Sequence, residues 1–167
     1  MRAPGSGTVV AVAGDVPDNT PLPDGGVEFP GLSLEPSSMI FGNHVVIDHG
    51  NGEFSVLAHL QRASVVVERG DSVQAKQPIG RLGLSGNTDF PHIHYQLQDG
   101  PDALTAEGVP FTFVGFGALQ PGSVVESADK RTSAQITIAA AIAIGMNASA
   151  STRKARRSPG RGPGSGV

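Results

Sequence analysis

Short runs of branched aliphatic residues, separated by glycine, proline, asparagine and aspartate, dominate the first 116 residues. This spacing predicts strands and tight turns, because amphipathic helical periodicity is scarce over the same stretch. A first strand is expected over residues 8–12, and its mixed pattern of faces predicts burial on both sides. The chain is therefore predicted to be all-β, with an antiparallel sheet as its core.

The clearest local signal is a hairpin over residues 43–60. Two aliphatic runs are joined by Gly50-Asn51-Gly52, and Asn-Gly between such runs is the strongest short-range hairpin signal. Further strands are predicted at 64–67, at the start of 81–88, and over 91–97. Residues 17–38 contain five prolines, so they are expected to form a long loop or lid and no central strand.

The segment 68–80 has the pattern Gly-Asp-x-Val-x-x-x-Gln-x-Ile-Gly. It resembles the turn of barrel-sandwich folds such as lipoyl domains. The predicted architecture is therefore an antiparallel β-sandwich of the barrel-sandwich type, a duplicated hybrid motif. This resemblance supports a fold and says nothing of chemistry.

The charge distribution divides the chain. Residues 1–150 carry 7 basic and 15 acidic side chains, whereas residues 151–167 carry 5 basic and none acidic. The β pattern also fades after Phe116. We expect a β core over 1–116 and a tail of low order over 117–167, basic and disordered from about residue 150.

Composition excludes several kinds of chemistry. Cysteine is absent, so a metal site must use His, Asp or Glu, and no disulfide or thiol nucleophile is available. The apolar run 136–146 is shorter than the roughly 20 residues that cross a bilayer. No signal peptide pattern is seen at the start of this sequence, and no feature indicates nucleic-acid binding.

The histidines are the candidate chemical groups. His92 and His94 lie two apart in a predicted strand, so both rings are expected on one face. Spacing alone leaves two interpretations open: a metal ligand beside a free imidazole, or two exposed histidines. Taken singly, His59, His49 and His44 are better explained as packed or surface residues.

Several motifs of this chain occur together and in order in one family. They are Gly42-Asn43 with Val45-Val46-Ile47 and His49-Gly50, Ala58-His59-Leu60, Val67 with Gly70-Asp71 and Val73, Gln77 with Ile79-Gly80, and Ser85-Gly86-Asn87-Thr88 before Pro91-His92-Ile93-His94. The ordered set, over about residues 3–116, resembles the lysostaphin/LytM-type zinc metalloendopeptidases.

The resemblance implies roles for three residues. His94 corresponds to a zinc ligand, and His59 and His92 correspond to the unligated catalytic pair beside the metal-bound water. The implied cofactor is zinc, and the implied substrate is the peptide of bacterial peptidoglycan. The implied location of the complete protein is outside the cytoplasmic membrane. The family's oligomeric state is not implied by any motif here.

One departure from the family pattern affects the metal. The other two ligands of the family come from a His-x-x-x-Asp element before the first strand, and this sequence starts at that strand. Asp15 and Asp18 follow the strand and are not expected to replace that element. We expect either an incomplete sequence, a misplaced start, or a metal-free relative, because a catalytic zinc uses three protein ligands plus water. Without the missing ligands, this chain alone is expected to be inactive and not to bind zinc.

Two other functions are open on the sequence. The same fold can serve as a non-catalytic module that binds cell-wall peptide or regulates a hydrolase. A carrier domain is a weaker hypothesis, because Lys76 follows the turn instead of standing in a lysine-bearing tip.

Overall fold

The computed structural model describes residues 1–31, 34–112, 124–126 and 135–137. Its elements are β1 (Gly7–Ala13), β2 (Thr20–Pro21), β3 (Val27–Glu28), α1 (Pro36–Phe41), β4 (Asn43–Asp48), β5 (Phe54–Leu60), β6 (Ser72–Val73), β7 (His94–Gln98), β8 (Val124–Glu126) and β9 (Gln135–Thr137). Five of them form the central sheet, in the order β6-β1-β4-β5-β7.

The strand pairings in the described residues are antiparallel throughout. The only helix of the described residues is six residues long, so the all-β prediction is confirmed. In the stretch predicted as a tail, β8 pairs with β9. The rest of residues 117–167, including the basic segment from about residue 150, lies outside the described residues.

The predicted hairpin is confirmed. β4 and β5 pair from Asp48 opposite Phe54 to Asn43 opposite Leu60. At the tip, His49 N donates to Glu53 O at 2.8 Å. The tip carries three consecutive positive φ angles, +83° at Gly50, +56° at Asn51 and +77° at Gly52. Glycine and asparagine adopt this conformation most easily, which explains why this turn closes the hairpin.

The first strand forms as predicted, but its expected burial on both sides is wrong. Val9 is buried, whereas Val12 is 36% exposed. β1 pairs with β4 along its length but with β6 only at Gly7 and Thr8. Only Val9 of this strand is buried, and its other residues are half-buried or exposed.

Within residues 17–31 and 34–38 there is no central strand, as predicted. The described part of this segment contains the small pair β2–β3 and the start of α1, with Pro36 in the first turn of the helix. Proline suits this position because it has no N–H to bond there. The interpretation of this segment as a lid stays a prediction.

Three strand predictions after the hairpin need correction. Residues 64–67 form no strand: Val66 is 70% exposed, and its N–H donates to Ile79 O at 3.1 Å without a continuing ladder. Residues 81–84 contribute only an isolated bridge between Leu82 and Leu60. The strand predicted over 91–97 begins at His94 instead.

The central sheet has two unlike faces. On one, which we call the aliphatic face, large side chains pack together: Val9, Val45, Ile47, Leu57, Leu60, Val67, Val73 and Ile79, with Ala3. On the other, the histidine face, the buried cluster is smaller: Phe41, Val46, Val56 and Ala58. Val67 and Ile79, which lie outside the strands, complete the cluster of the aliphatic face. On the histidine face this part is taken by Phe41 of α1.

Candidate functional site

Three histidine rings meet at the end of β5. The ring centroid of His59 lies 4.8 Å from that of His92 and 5.7 Å from that of His94. The pairing of β5 with β7 causes this, because it sets His94 opposite Ala58, next to His59. The convergence of these three residues, expected from the family resemblance, is therefore present in the structure.

The backbone at His59 departs from a regular strand. In a strand, neighbouring side chains point to opposite faces, so His59 would leave the face that carries Ala58. Its φ is +58°, a conformation uncommon outside glycine. This departure breaks the alternation, and the His59 ring joins the other two.

The His59 ring is buried and fixed in one tautomer. The residue is 3% exposed, and its Nδ1 lies 2.8 Å from the carbonyl oxygen of Ser85. A carbonyl only accepts hydrogen bonds, so Nδ1 donates and Nε2 holds the lone pair. Burial lowers the pKa of His59 to about 4, with smaller contributions from the nearby His92 and His94 rings, while the bond to Ser85 opposes the shift.

A buried polar network holds the carbonyl of Ser85 in place. Ser85 Oγ donates to Leu60 O at 2.7 Å and accepts from Asn43 N at 2.8 Å. Gly42 packs against the same backbone: a Cβ at Gly42 would lie 2.3 Å from Ser85 C, and its φ is +60°. Only glycine fits this contact, so the loop that orients His59 is fixed by tight packing.

His92 stands in the loop before β7, not in the strand. Its Nδ1 lies 3.0 Å from Phe90 O and 3.1 Å from Thr88 Oγ1. The bond to a carbonyl again places the proton on Nδ1 and leaves the lone pair on Nε2. The expectation that a shared strand face brings His92 and His94 together is wrong, because the loop carries His92 to the site.

His94 is half-buried between aromatic and polar neighbours. Its ring packs against the ring of Phe41, with centroids 5.3 Å apart in an edge-on arrangement. Its Nε2 lies 3.4 Å from Gln96 Oε1. Burial lowers the pKa of His94, and the contact with Gln96 acts in the opposite direction.

The described residues do not complete a metal site. Among them, no group of three His, Asp or Glu side chains is placed to hold a metal ion. Asp18 is engaged elsewhere, since its carboxylate accepts from Leu84 N at 2.8 Å and from Arg62 N at 3.2 Å. The assignment of His94 as a zinc ligand stays a prediction.

The other two histidines have structural contacts. His49 bonds through both ring nitrogens, to Ser6 O and to Ser55 Oγ, each at 2.8 Å, so the protein and not solvent satisfies its polarity. His44 is buried, and its Nδ1 lies 2.8 Å from Gly42 O. Burial lowers the pKa of His44. Neither ring takes part in the close set of three.

Sequence reasoning missed the groups that support the histidines. Phe41 and Ser85 contact the site from distant parts of the chain, and no local pattern identifies such contacts. Gln96 and Gln98 were detectable, because residues 94, 96 and 98 alternate along a strand and share one face.

Comparison with protein families identifies the class of protein. Residues 1–106 match the model of Peptidase family M23, so this chain belongs to that family. Two relatives are the peptidoglycan DD-endopeptidase ShyA of Vibrio cholerae, 41% identical over 56 residues, and the murein hydrolase activator EnvC of Escherichia coli, 36% identical over 58 residues. These matches cover 34% and 35% of this chain but only 13% of each relative.

Two solved structures are similar to part of this chain. The catalytic domain of the M23 protein EnpA from Enterococcus faecalis is 24% identical, with a TM-score of 0.46, and the match covers 65% of this chain and 64% of that one. Lysostaphin from Staphylococcus simulans is also 24% identical, with a TM-score of 0.45, covering 65% of this chain and 36% of that one. Within the described residues, no helix has the length and apolar character to span a membrane.

Proposed function

We propose that this chain is a metalloendopeptidase domain that hydrolyses peptide bonds of bacterial peptidoglycan, with His59 and His92 as catalytic residues and His94 as a zinc ligand. The observation that carries the proposal is the meeting of three histidine rings within 4.8 and 5.7 Å in a member of family M23. The printed names of the relatives ShyA and EnvC, a peptidoglycan endopeptidase and a murein hydrolase activator, support the substrate. They also support a location outside the cytoplasmic membrane.

The histidine geometry suits proton transfer. The pKa of His59, lowered to about 4, keeps its ring neutral near neutral pH, and its free Nε2 can accept a proton from an attacking water. His92 presents its own Nε2 beside it, and a proton there would stabilise a developing oxyanion. Ser85 and Phe90 orient the two rings by accepting from their Nδ1 atoms.

Zinc would supply an acidified water and a polarised carbonyl. His94 offers one ligand, and the described residues provide no complete set. A zinc-dependent reaction therefore requires ligands from outside the described residues.

The test is hydrolysis of purified peptidoglycan by the 167-residue chain, together with its zinc content. The matched variants are His59→Gln and His49→Gln, the same change inside and outside the ring cluster. Loss of a proton-transfer group is expected to lower the rate by about 10²–10⁴-fold in His59→Gln, and His49→Gln is expected to retain it. Full activity of His59→Gln would contradict the proposal.

A second candidate is a non-catalytic module that binds peptidoglycan peptide or regulates a hydrolase. The lack of a three-ligand group among the described residues favours it. It predicts that the chain binds sacculi without releasing fragments and contains no zinc. Equal binding by the parent chain and His59→Gln, with no fragments released by either, separates it from the enzyme.

A further inference from the structure

A line of hydrogen bonds runs along β7 away from the site. His94 Nε2 lies 3.4 Å from Gln96 Oε1, Gln96 Nε2 donates to Gln98 Oε1 at 2.7 Å, and Gln98 Nε2 donates to Gly100 O at 2.7 Å. Residues 94, 96 and 98 share one face of the strand because side chains alternate. We call Gln96 and Gln98 with these bonds the amide ladder.

The far end of the ladder is rigid. Gln98 is fully buried, its backbone pairs with Phe54, and it forms a bridge with Gly108 on its other side. A buried amide must satisfy its polar atoms within the protein, because an unpaired one costs free energy. Its orientation is therefore set by its neighbours and not by solvent.

One backbone carbonyl fixes the direction of the whole ladder. Gly100 O can only accept, so the NH₂ group of Gln98 must face it, and Gln98 Oε1 then faces Gln96. Gln98 Oε1 needs a donor, so the NH₂ group of Gln96 faces Gln98. The Oε1 atom of Gln96 then faces His94. His94 Nε2 must consequently donate, and it does so only when it carries a proton.

We propose that Gln96 and Gln98 are positioning residues that hold His94 in the tautomer with the proton on Nε2, leaving Nδ1 as the nitrogen with the lone pair. The tautomer follows from the ladder alone. Its use by a ligand or substrate at Nδ1 rests on the proposed function. The reversed ladder would set Gln98 Oε1 against Gly100 O, two acceptors in contact.

The test measures the His94 tautomer by ¹⁵N NMR on the metal-free 167-residue chain at about pH 8, above the ordinary histidine pKa. Gln96→Met removes the acceptor with little change of side-chain length. Gln96→Glu keeps an acceptor facing His94, although it gives up the donor to Gln98 Oε1. The ratio of the Nε2–H form to the Nδ1–H form is expected to fall about fivefold in Gln96→Met, the effect of one ordinary hydrogen bond, and to be maintained in Gln96→Glu.

Gln98→Met is the more demanding variant, because residue 98 does not touch His94. Without its anchor, the Gln96 amide can turn over, so the His94 ratio is expected to fall severalfold here too. A backbone amide NMR spectrum checks that Gln98→Met folds. If this variant does not fold, the tautomer ratios of Gln96→Met and Gln96→Glu decide the test. An unchanged ratio in Gln96→Met overturns the proposal. No peptidoglycan or metal enters the measurement, so its failure and that of the proposed function are distinguishable.

Discussion

The two faces of the central sheet differ in the side chains that they carry. The aliphatic face packs the larger cluster, which includes Ile47, Leu57 and Ile79. The histidine face has a smaller cluster of Val46, Val56 and Ala58 under Phe41, and beside it lie the rings and the amide ladder. Its polar groups are tolerated because hydrogen bonds satisfy them. The larger apolar cluster thus lies on one face, and the residues of the proposed function lie on the other.

The largest expected effect is at Asn43, whose side chain ties the start of β4 to its neighbours. Its Oδ1 accepts from Val16 N at 2.7 Å, and its Nδ2 donates to Val16 O at 2.7 Å and to Leu60 O at 3.0 Å. Asn43→Ala leaves these buried groups unpaired and is expected to lower the free energy of unfolding by about 4 kcal/mol, measured by urea denaturation.

Asn43→Asp is the control for this prediction. Its carboxylate keeps the acceptor for Val16 N but sets a fully buried acceptor against the carbonyls of Val16 and Leu60. We therefore expect a loss at least as large as that of Asn43→Ala. A loss under about 1 kcal/mol in Asn43→Ala would show that water replaces the side chain.

Sequence patterns predict the hairpin and the antiparallel class well, because both depend on local signals. Asn51-Gly52 specifies the turn whatever surrounds it. Residues 64–67 do not form a strand because a hydrogen-bond ladder needs a partner strand. Val66 N donates only to the carbonyl of Ile79. Strand propensity cannot supply the partner. The division into 1–116 and 117–167 stays a prediction.

The three site histidines follow from the family motifs, but not from strand periodicity. His59 reaches the site through a positive φ, and His92 reaches it from a loop. Both are backbone features that a two-residue repeat does not encode. The carbonyl of Ser85, which fixes the His59 ring, comes from 26 residues away. Tertiary packing decides such contacts.

The second prediction concerns acid. The pKa of His59 is lowered to about 4 from 6.5 by burial, so between these values the unfolded chain binds a proton that the folded chain does not. Stability is therefore fully present above about pH 6.5 and is lost as pH falls towards 4. The expected loss from His59 is at most about 3 kcal/mol.

His59→Gln tests this assignment, because it removes the titrating ring from the histidine face. The free energy of unfolding, measured in urea at several pH values, should depend less on pH in this variant than in the parent chain. The lowered pKa values of His44 and His94 leave a residual slope of the same sign. An identical slope in both chains would place the acid sensitivity elsewhere.

The third prediction compares the two faces directly. Val45 and Val46 are neighbours in β4, 0% and 1% exposed, and belong to the aliphatic and the histidine clusters respectively. Replacing either by Ala is expected to cost about 2 kcal/mol of unfolding free energy, from lost burial and a cavity. Only Val46→Ala should also shift the NMR signals of the His94 ring, through Phe41. Equal shifts of the His94 ring signals in Val45→Ala and Val46→Ala would mean that packing changes on either face reach the histidines equally.

The smallest effect is expected at the hairpin tip, away from both faces. Gly52 has a φ of +77° and no atom near an added Cβ, so Gly52→Ala strains only the backbone and should cost about 1 kcal/mol in thermal or urea unfolding. Gly31 is the matched control: its added Cβ also meets nothing within 4 Å, and its φ lies outside the left-handed region. Gly31→Ala should therefore not destabilise the protein. The NMR signals of the His59 and His94 rings should stay unchanged in both variants, since the strain at the tip is local. A shift of these ring signals would show that the hairpin transmits strain from its turn to the site.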